Sequence, residues 1–460
     1  MRINKLIKTK YKIKIKGIKT NSKDIQKGDV FVCTLGNVDK KEYITDAINK
    51  GCSFVITNDE INDNIPHVIV DNINLVLKKI LNHYYKFPLR KVRLVGVTGT
   101  DGKTSLTTML KDMTNGACIG TNGLIFNDQV FDLENTTPSL DKVYDCIDKA
   151  IKKGKKDIFM EVSSEAYLTK RIPGLFFDIG VFTDITKEHL DKHKNFNNYF
   201  KCKMKLLKNS GVAIINHDSK YFNKVKEVNS NYRTYGLKKS DITIIDYRLY
   251  LNRTYIKFNY KGNEYTVVSP LIGLYNIYNL MASILVMIEL GYKIDDIIKR
   301  INLIKTPLGR NEIVYNQDCL VMIDHAHTEN AIRNILQFMN NFKKNRLIVV
   351  LGCAGGRYKE KRKKIGKLAL NYADVVIFTS DDPRDENPNT IIDDMLRGNI
   401  TFNKEYYRII NRKLALKKAI RMKEDDDIIL VLGRGRDSIM HLNGYDIEFS
   451  DYEELKKLIR

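Results

Sequence analysis

Short apolar runs alternate with amphipathic stretches along most of this 460-residue chain, and they fall into three blocks. In the first, Gly28-Asp29 is a turn before the apolar run Val30–Cys33. Residues Tyr43 to Lys50 have helical spacing, and Ser53 to Thr57 is again a strand. The opening stretch, Met1 to Lys16, alternates lysine with isoleucine and predicts an edge strand. The second block begins with the strand Arg93 to Val97. Strands at Asp157–Val162, Ile179–Thr183 and Val212–Asn216 follow, with helical patterns between them. Tyr247 to Val268 reads as hairpins and Asn276 to Leu290 as a long helix. After Thr306-Pro307-Leu308-Gly309 the alternation resumes. Strands are expected at Cys319–Ile323, Leu347–Leu351, Val375–Thr379 and Ile428–Leu432, and helices at Ala331–Met339 and Arg362–Asn371. The pattern predicts an α/β protein of three domains. These are a small α/β domain over residues 1–90, a central doubly wound phosphate-loop domain over 91–306, and a Rossmann-like domain over 307–460.

Composition supports globular cores: 43% of residues are hydrophobic, and no low-complexity tract interrupts the chain. The formal net charge of +22 raises nucleic-acid or anionic-membrane binding as function classes. The lysines are spread along the whole chain, however, without the interleaved aromatics of a base-stacking surface. That distribution argues for compositional drift, and no nucleic-acid partner is expected. The seven cysteines form no CxxC pair and no zinc spacing, which suits reduced thiols in a cytoplasmic protein. The most apolar window, Ile277 to Gly291, contains Asn279 and Glu289 and is too short for a span, so no membrane insertion is expected.

The chemistry starts at Val95-Gly96-Val97-Thr98-Gly99-Thr100-Asp101-Gly102-Lys103-Thr104-Ser105, a strand, a glycine turn and a helix start. Backbone N–H groups of Gly99, Thr100, Asp101, Gly102 and Ser105 are suited to wrap phosphates at the positive end of the helix. Lys103 would reach the outer phosphates and Thr104 would hold Mg²⁺. Val97 stands where the strict Walker A pattern wants glycine, so the loop follows a narrower Thr-Gly-Thr-x-Gly-Lys-Thr form. Glu161 ends a buried strand and is a second candidate for Mg²⁺, against the plainer reading of a solvent-facing or helix-capping acid. His189, Asp191 and His193 alternate after another strand, as metal ligands or as hydrogen-bonding loop residues. Lys203 reads from composition as part of a solvated basic helix face. In the third block, Asp324-His325-Ala326-His327-Thr328, Gly352–Arg357, Asp381-Asp382-Pro383-Arg384 and Gly433–Asp437 all follow strands, and strand C-termini face the crevice of a parallel sheet. Acids there suit an ammonium and arginines a carboxylate, the two ends of a free amino acid.

Taken in order, these motifs resemble the Mur ligases, and among them the MurE type, over essentially the whole chain. Thr20 to Val32 resembles the start of the family's uridine-binding domain, with Ser22 at the UDP-contacting serine and Asn21 and Lys23 replacing Asp and Arg. Thr98 to Ser105 resembles its ATPase loop, with Asp101 where Asn is usual. Thr136, Thr137, Ser163 and Arg171 match its contacts to the UDP-muramoyl dipeptide, while Glu165 and Thr169 replace a His and a Gln. Lys203 falls on the family's carbamylated lysine, and His189 on its motif histidine, so Thr104, Glu161, His189 and the Lys203 carbamate are the implied Mg²⁺ set. The resemblance places Lys103, Lys203 and His189 in catalysis and Asn276, Asn279, Arg310 and Asp324 at the nucleotide. Arg357 would bind the incoming amino acid's carboxylate. Asp381, Asp382, Pro383, Arg384, Gly433 and Asp437 would hold the rest of it, with Asp382 and Asp437 in place of Asn and Glu.

The implied enzyme is a monomeric ATP- and Mg²⁺-dependent amide ligase joining a free diamino acid to UDP-N-acetylmuramoyl-L-alanyl-D-glutamate through an acyl phosphate, in peptidoglycan precursor synthesis. meso-2,6-Diaminopimelate is favoured because Arg384 suits a distal carboxylate. L-Lysine or another diamine stays open because Asp382 adds an acid. The other readings are a MurE-like ligase of a specialised peptide pathway and, outside enzymes, an inactive nucleotide-binding or nucleic-acid-binding protein.

Overall fold

The computed structural model describes residues 1–34, 40–61, 64–398 and 404–459. It is an α/β protein of several sheets whose packing defines two compact units. The first comprises Met1–Thr98, Thr114–Gly180 and Cys202–Ala213, and the second Gly99–Met113, Val181–Lys201 and Ile214–Arg460.

In the first unit, strands Ile18–Lys19, Val30–Val32, Phe54–Thr57 and His67–Ile69 form a parallel four-stranded sheet in that order. Helices Lys41–Asn49 and Ile73–Tyr84 accompany it. A second set of strands is parallel at Arg93–Thr98, Asp157–Glu161 and Ala117–Gly120. It turns antiparallel at Gly123–Phe126 and Gln129–Phe131. One apolar cluster joins Val30, Phe54, Leu77 and Ile80 to Leu94, Ile119 and Ile158.

The first sixteen residues are not the edge strand that their alternation predicts. Ile3–Lys5 is a single 3₁₀ turn, and the chain doubles back so that Ile3 N–H donates to the Ile13 carbonyl at 2.8 Å and Ile15 N–H to that of Met1 at 2.9 Å. The cause lies in the spacing of Ile3, Leu6 and Ile7, which is that of a helical turn and buries all three, whereas alternation governs only the return segment that buries Ile15.

In the second unit, Ile242–Leu249, Thr254–Tyr260 and Asn263–Ser269 form the expected antiparallel meander, and Leu274–Glu289 the expected long helix. A six-stranded sheet follows in the order Glu312–Asn316, Leu320–Asp324, Ile428–Leu432, Leu347–Leu351, Val375–Phe378, Glu405–Arg408. Its first strand is antiparallel and the other five are parallel. Apart from Asp324 at the end of its strand, the four central strands are apolar throughout because both faces are covered. Met322, Val349, Val376 and Leu430 pack under helices Glu329–Phe342, Lys361–Tyr372 and Pro388–Leu396. Val321, Ile348, Ile377 and Ile429 pack under Arg412–Arg421 and Asp451–Leu458. This is the doubly wound arrangement the alternation predicts. It sets the ends of four parallel strands, at Asp324, Leu351, Phe378 and Leu432, on one edge.

Among the described residues, which include all seven cysteines, there is no disulfide, and all seven thiols are buried. Among the described residues, no helix is long and apolar enough to cross a membrane.

Candidate active site

Within the first unit, five of the residues singled out in the sequence form one hydrogen-bonded group. Glu161, at the end of its strand and 2% exposed, accepts the Thr121 N–H at 3.0 Å and the Thr121 hydroxyl at 3.3 Å. Its own carbonyl accepts the Thr137 hydroxyl at 2.9 Å, and Ser163 N–H donates back to Thr137 Oγ1 at 2.8 Å. Arg171 reaches the Thr137 carbonyl at 2.9 Å, and the hydroxyls of Thr136 and Thr121 lie 3.1 Å apart. Glu161 is therefore not a solvent-facing acid. It is a buried carboxylate, and Thr121, which sequence reasoning missed, is one of its donors. The signal available was position, since Thr121 directly follows the strand Ala117–Gly120. Ser22 is also buried, in a turn that the Asn21 side chain caps by accepting Lys23 N–H at 3.1 Å. Lys203, on helix Phe196–Lys208, is only 2% exposed, which overturns the solvated-face reading. Burying an ammonium is costly without specific partners, so its place in the helix is not that of a surface lysine.

In the second unit, the phosphate loop is held both by its own carbonyls and by neighbouring threonines. Lys103 Nζ donates to the carbonyls of Gly99 at 3.0 Å and Thr100 at 2.9 Å. Thr183 Oγ1 donates to the Asp101 carbonyl at 2.7 Å, and the Thr100 hydroxyl accepts Thr186 N–H at 3.0 Å. Gly102 has φ +87°, and a Cβ there would lie 2.7 Å from Asn279 Oδ1, so the turn needs glycine on both counts. Asn279 is itself held by donating to Asn276 Oδ1 at 3.1 Å. Arg310 Nη2 lies 3.5 Å from the buried Thr104 hydroxyl. Asp324 accepts the N–H groups of Asn311 at 2.6 Å and Ala326 at 2.7 Å, and burial pushes its carboxyl above the usual range.

The Asp101 carboxylate accepts the Thr328 hydroxyl, 3.0 and 3.1 Å from its two oxygens. Thr328 caps helix Glu329–Phe342, so this acid sits beside the positive end of a helix dipole. His189 has a left-handed φ of 56° just before helix Leu190–His193. Beside it, the buried Glu188 pairs with the buried Lys361 at 2.6 Å. Burial raises the Glu188 pKa, and the Lys361 charge opposes that shift. Lys361 lies in a lysine-rich run and carried no sequence signal. Among the described residues, no group of three or more His, Cys, Asp or Glu side chains gathers as a metal site would.

The strand-end loops of the six-stranded sheet hold the residues expected at the amino acid. Gly355 N–H donates to the Asp382 carbonyl at 2.9 Å, and Gly433 N–H to that of Asp324 at 3.1 Å. Asp381 is buried, which raises its pKa, and its carbonyl accepts from Arg434 at 2.8 Å. Asp382 is bonded through both oxygens: one accepts His441 N–H at 2.8 Å, the other Arg384 Nε at 3.0 Å. Among the described residues, the terminal nitrogens of Arg384 make no hydrogen bond. Arg384 also lines a cavity of about 340 Å³ together with Asp385, His441, Tyr445 and Asp446. Asp437 is half exposed, with Oδ2 3.9 Å from His325 Nδ1.

The Mur ligase middle domain matches residues 97–287, and the Mur ligase glutamate ligase domain matches residues 309–435. A UDP-N-acetylmuramoyl-L-alanyl-D-glutamate--2,6-diaminopimelate ligase of Fusobacterium nucleatum is 34% identical over 461 residues, covering 97% of this chain and 94% of the relative. Its namesake from Aquifex aeolicus is 32% identical over 455 residues, covering 97% and 94%. Among solved structures, a UDP-N-acetylmuramoyl-L-alanyl-D-glutamate--2,6-diaminopimelate ligase has a TM-score of 0.68 at 23% identity, covering 100% of this chain and 98% of that one. The MurF ligase of Thermotoga maritima in complex with ADP has 0.66 at 19%, covering 96% of each. These two show the shared fold. The chain belongs to the Mur ligase family, the ATP-dependent, ADP-forming amide ligases. Within that family it is of the MurE type.

Proposed function

We propose that this protein joins meso-2,6-diaminopimelate to UDP-N-acetylmuramoyl-L-alanyl-D-glutamate with cleavage of ATP to ADP and phosphate, in the cytoplasm and as a monomer. The observation that carries the reading is the likeness, over nearly its whole length, to relatives named for that reaction. The division into domains 1–90, 91–306 and 307–460 belongs to the same proposal.

In this reading Lys103 leaves its loop carbonyls to meet the outer phosphates of ATP and draws charge from the γ-phosphate. An oxygen of the D-glutamyl carboxylate attacks that phosphorus, the bond to the β-bridging oxygen breaks, and ADP leaves an acyl phosphate. The unprotonated amine of the incoming amino acid attacks the acyl carbon. The tetrahedral intermediate expels inorganic phosphate, the nitrogen loses a proton, and an amide remains. Thr136, Thr137, Ser163 and Arg171 bind the dipeptide end, Ser22 the uridine end, and Arg357 the amino acid's carboxylate. Magnesium, when bound, supplies neutralising charge to the phosphates. The Thr104 hydroxyl and the buried Glu161 carboxylate are oxygen donors of the kind it takes, and both are present and shielded. His189 and a Lys203 carbamate are the further donors in the proposal. The carbamate turns a buried cation into an anion.

The state of Asp382 favours diaminopimelate over lysine. The extra acid would attract a lysine ammonium if its charge were unopposed, but it is already paired with Arg384 and bonded to the His441 N–H. What remains exposed is the outer part of the Arg384 guanidinium, which suits a distal carboxylate. The test is phosphate release with the UDP-muramoyl dipeptide, ATP, Mg²⁺ and a panel of diamino acids. meso-Diaminopimelate is expected to give at least about a tenfold higher kcat/KM than L-lysine, the discrimination of one charge-assisted pair. A preference for lysine overturns the amino-acid assignment, and release with none of the panel overturns the reaction.

A further inference from the structure

We infer that Glu386 and the buried Arg362 are positioning residues for the incoming amino acid, because this pair fixes the loop that carries Arg357 against the stretch Asp381–Arg384. The inference rests on the proposed reading of those two segments as the amino-acid site.

Glu386 Oε1 accepts the Gly356 N–H at 2.7 Å and Arg362 Nη2 at 3.0 Å. Its Oε2 accepts Arg362 Nη1 at 3.0 Å and pairs with Lys359 Nζ at 3.0 Å. The Arg362 side chain, 1% exposed, also donates to the Ala354 carbonyl at 3.3 Å and to Asp394 at 3.0 Å. One guanidinium and one carboxylate therefore grip the Gly352–Arg357 loop at two places, Ala354 and Gly356. Glu386 lies two residues beyond Arg384, so the same carboxylate belongs to the second segment. The segments are as close as backbones allow: a Cβ on Gly355 would sit 1.9 Å from the Pro383 carbonyl oxygen. Arg384 itself is fixed on the far side, with a left-handed φ of 52°, its N–H bonded to the His441 carbonyl at 2.9 Å and its carbonyl to Asn443 N–H at 2.7 Å.

In this network Arg362, Lys359 and Arg397 face Glu386 and Asp394, and the one surplus charge lies among the exposed side chains of Lys359 and Arg397, where water screens it. The network therefore adds little field of its own at the ligand, and Arg357 and Arg384 keep theirs. What it contributes is geometry. Two arginines can recognise carboxylates a fixed distance apart only if the loops bearing them cannot slide past each other. The Arg362 bond also holds the Glu386 carboxyl down to about 2, so the clamp is ionised at neutral pH.

The experiment is steady-state phosphate release by the full-length enzyme, with diaminopimelate, ATP and the UDP-muramoyl dipeptide varied in turn, for Glu386→Ala, Glu386→Gln and Arg357→Ala. Glu386→Ala is expected to raise KM for the amino acid at least about tenfold, while KM for the other two substrates stays within about twofold. Glu386→Gln should be intermediate, because its amide oxygen still accepts the Gly356 N–H, and it carries the test if the alanine variant does not fold. Equal rises for all three substrates, or an unchanged amino-acid KM in a protein with wild-type thermal stability, overturn the inference. If Arg357→Ala leaves the amino-acid KM unchanged, it is the reading of the site that fails, and the inference falls with it.

Discussion

Two glycine-bearing loops of the second unit are built on opposite principles. In Gly99–Ser105 the loop's own carbonyls are prominent acceptors: Lys103 rests on those of Gly99 and Thr100, four and three residues away in sequence, and Thr183 donates to that of Asp101. In Gly352–Arg357 the fixing groups are charged side chains, and they come from Arg362 and Glu386. The first loop can release its cation to a ligand by exchanging bonds to uncharged carbonyls for stronger ones to phosphate oxygens. The second keeps its arginine apart from the network and spends other charges on rigidity. On the proposed function, the loop that grips the transferring phosphate is preset largely by its own carbonyls, and the loop that selects the amino acid is preset by ion pairs.

The largest expected effect tests the first half of that contrast. Lys103→Ala should lower kcat by roughly a thousandfold, in line with removal of a group that stabilises developing charge. KM for ATP should change far less, since the backbone N–H groups remain, and a comparable rise in KM would mean that the lysine builds the loop. Next, Lys203→Ala should lose most activity, about a hundredfold if it supports the metal, with the fold intact by circular dichroism. Normal turnover in that variant removes the carbamate role. Arg357→Ala should raise KM for the amino acid by roughly thirtyfold, about 2 kcal/mol for a charge-assisted pair. Equal effects on the amino-acid and ATP KM values would erase the distinction between the loops.

The same contrast explains what the sequence reveals. The phosphate loop is legible because its members are contiguous: strand, glycines, lysine and threonine stand in one line of text. The six-stranded sheet is legible because strands covered on both faces must be apolar throughout, as Leu347–Leu351 and Ile428–Leu432 are. Arg362 and Lys361 are not legible, since they stand in a run of lysines that looks like any solvated surface and are nonetheless buried. Lys203 is hidden in the same way, and only family likeness singles it out. Thr121 and Glu188 sit next to motifs, but their bonds span 40 and 173 residues. The opening segment misleads for a different reason: its lysine–isoleucine alternation continues past the point where helical spacing decides which isoleucines go inside.

A titration sharpens the comparison further. Glu386 ionises at about 2 in the folded protein against an ordinary value of 4.5. A carboxyl with a depressed folded value stabilises the fold above its unfolded value, and that contribution is lost as pH falls from there through the folded value. The Tm of wild type should therefore exceed that of Glu386→Gln at pH 6, and the gap should shrink between about pH 4.5 and pH 2. A gap independent of pH would show that the clamp works by shape alone, as the phosphate loop does.

The smallest effect falls on Asp101, the acid that stands where the family's loop has asparagine. Its carboxylate is placed by the Thr328 hydroxyl and the start of helix Glu329–Phe342, which gives a negative charge near a phosphate site a physical reason to be tolerated. Asp101→Asn keeps an acceptor for Thr328 and exchanges a charge-assisted bond for a neutral one, a loss of about 1 kcal/mol. It also removes a charge that repels ATP, and that gain is screened as ionic strength rises. The two effects oppose each other, so KM for ATP should move by about threefold or less at low salt. The variant should compare less favourably with wild type as salt is added. A loss of tenfold or more at low salt would mean that a side-chain anchor holds the phosphate loop after all, and the two loops would then be variations on one principle.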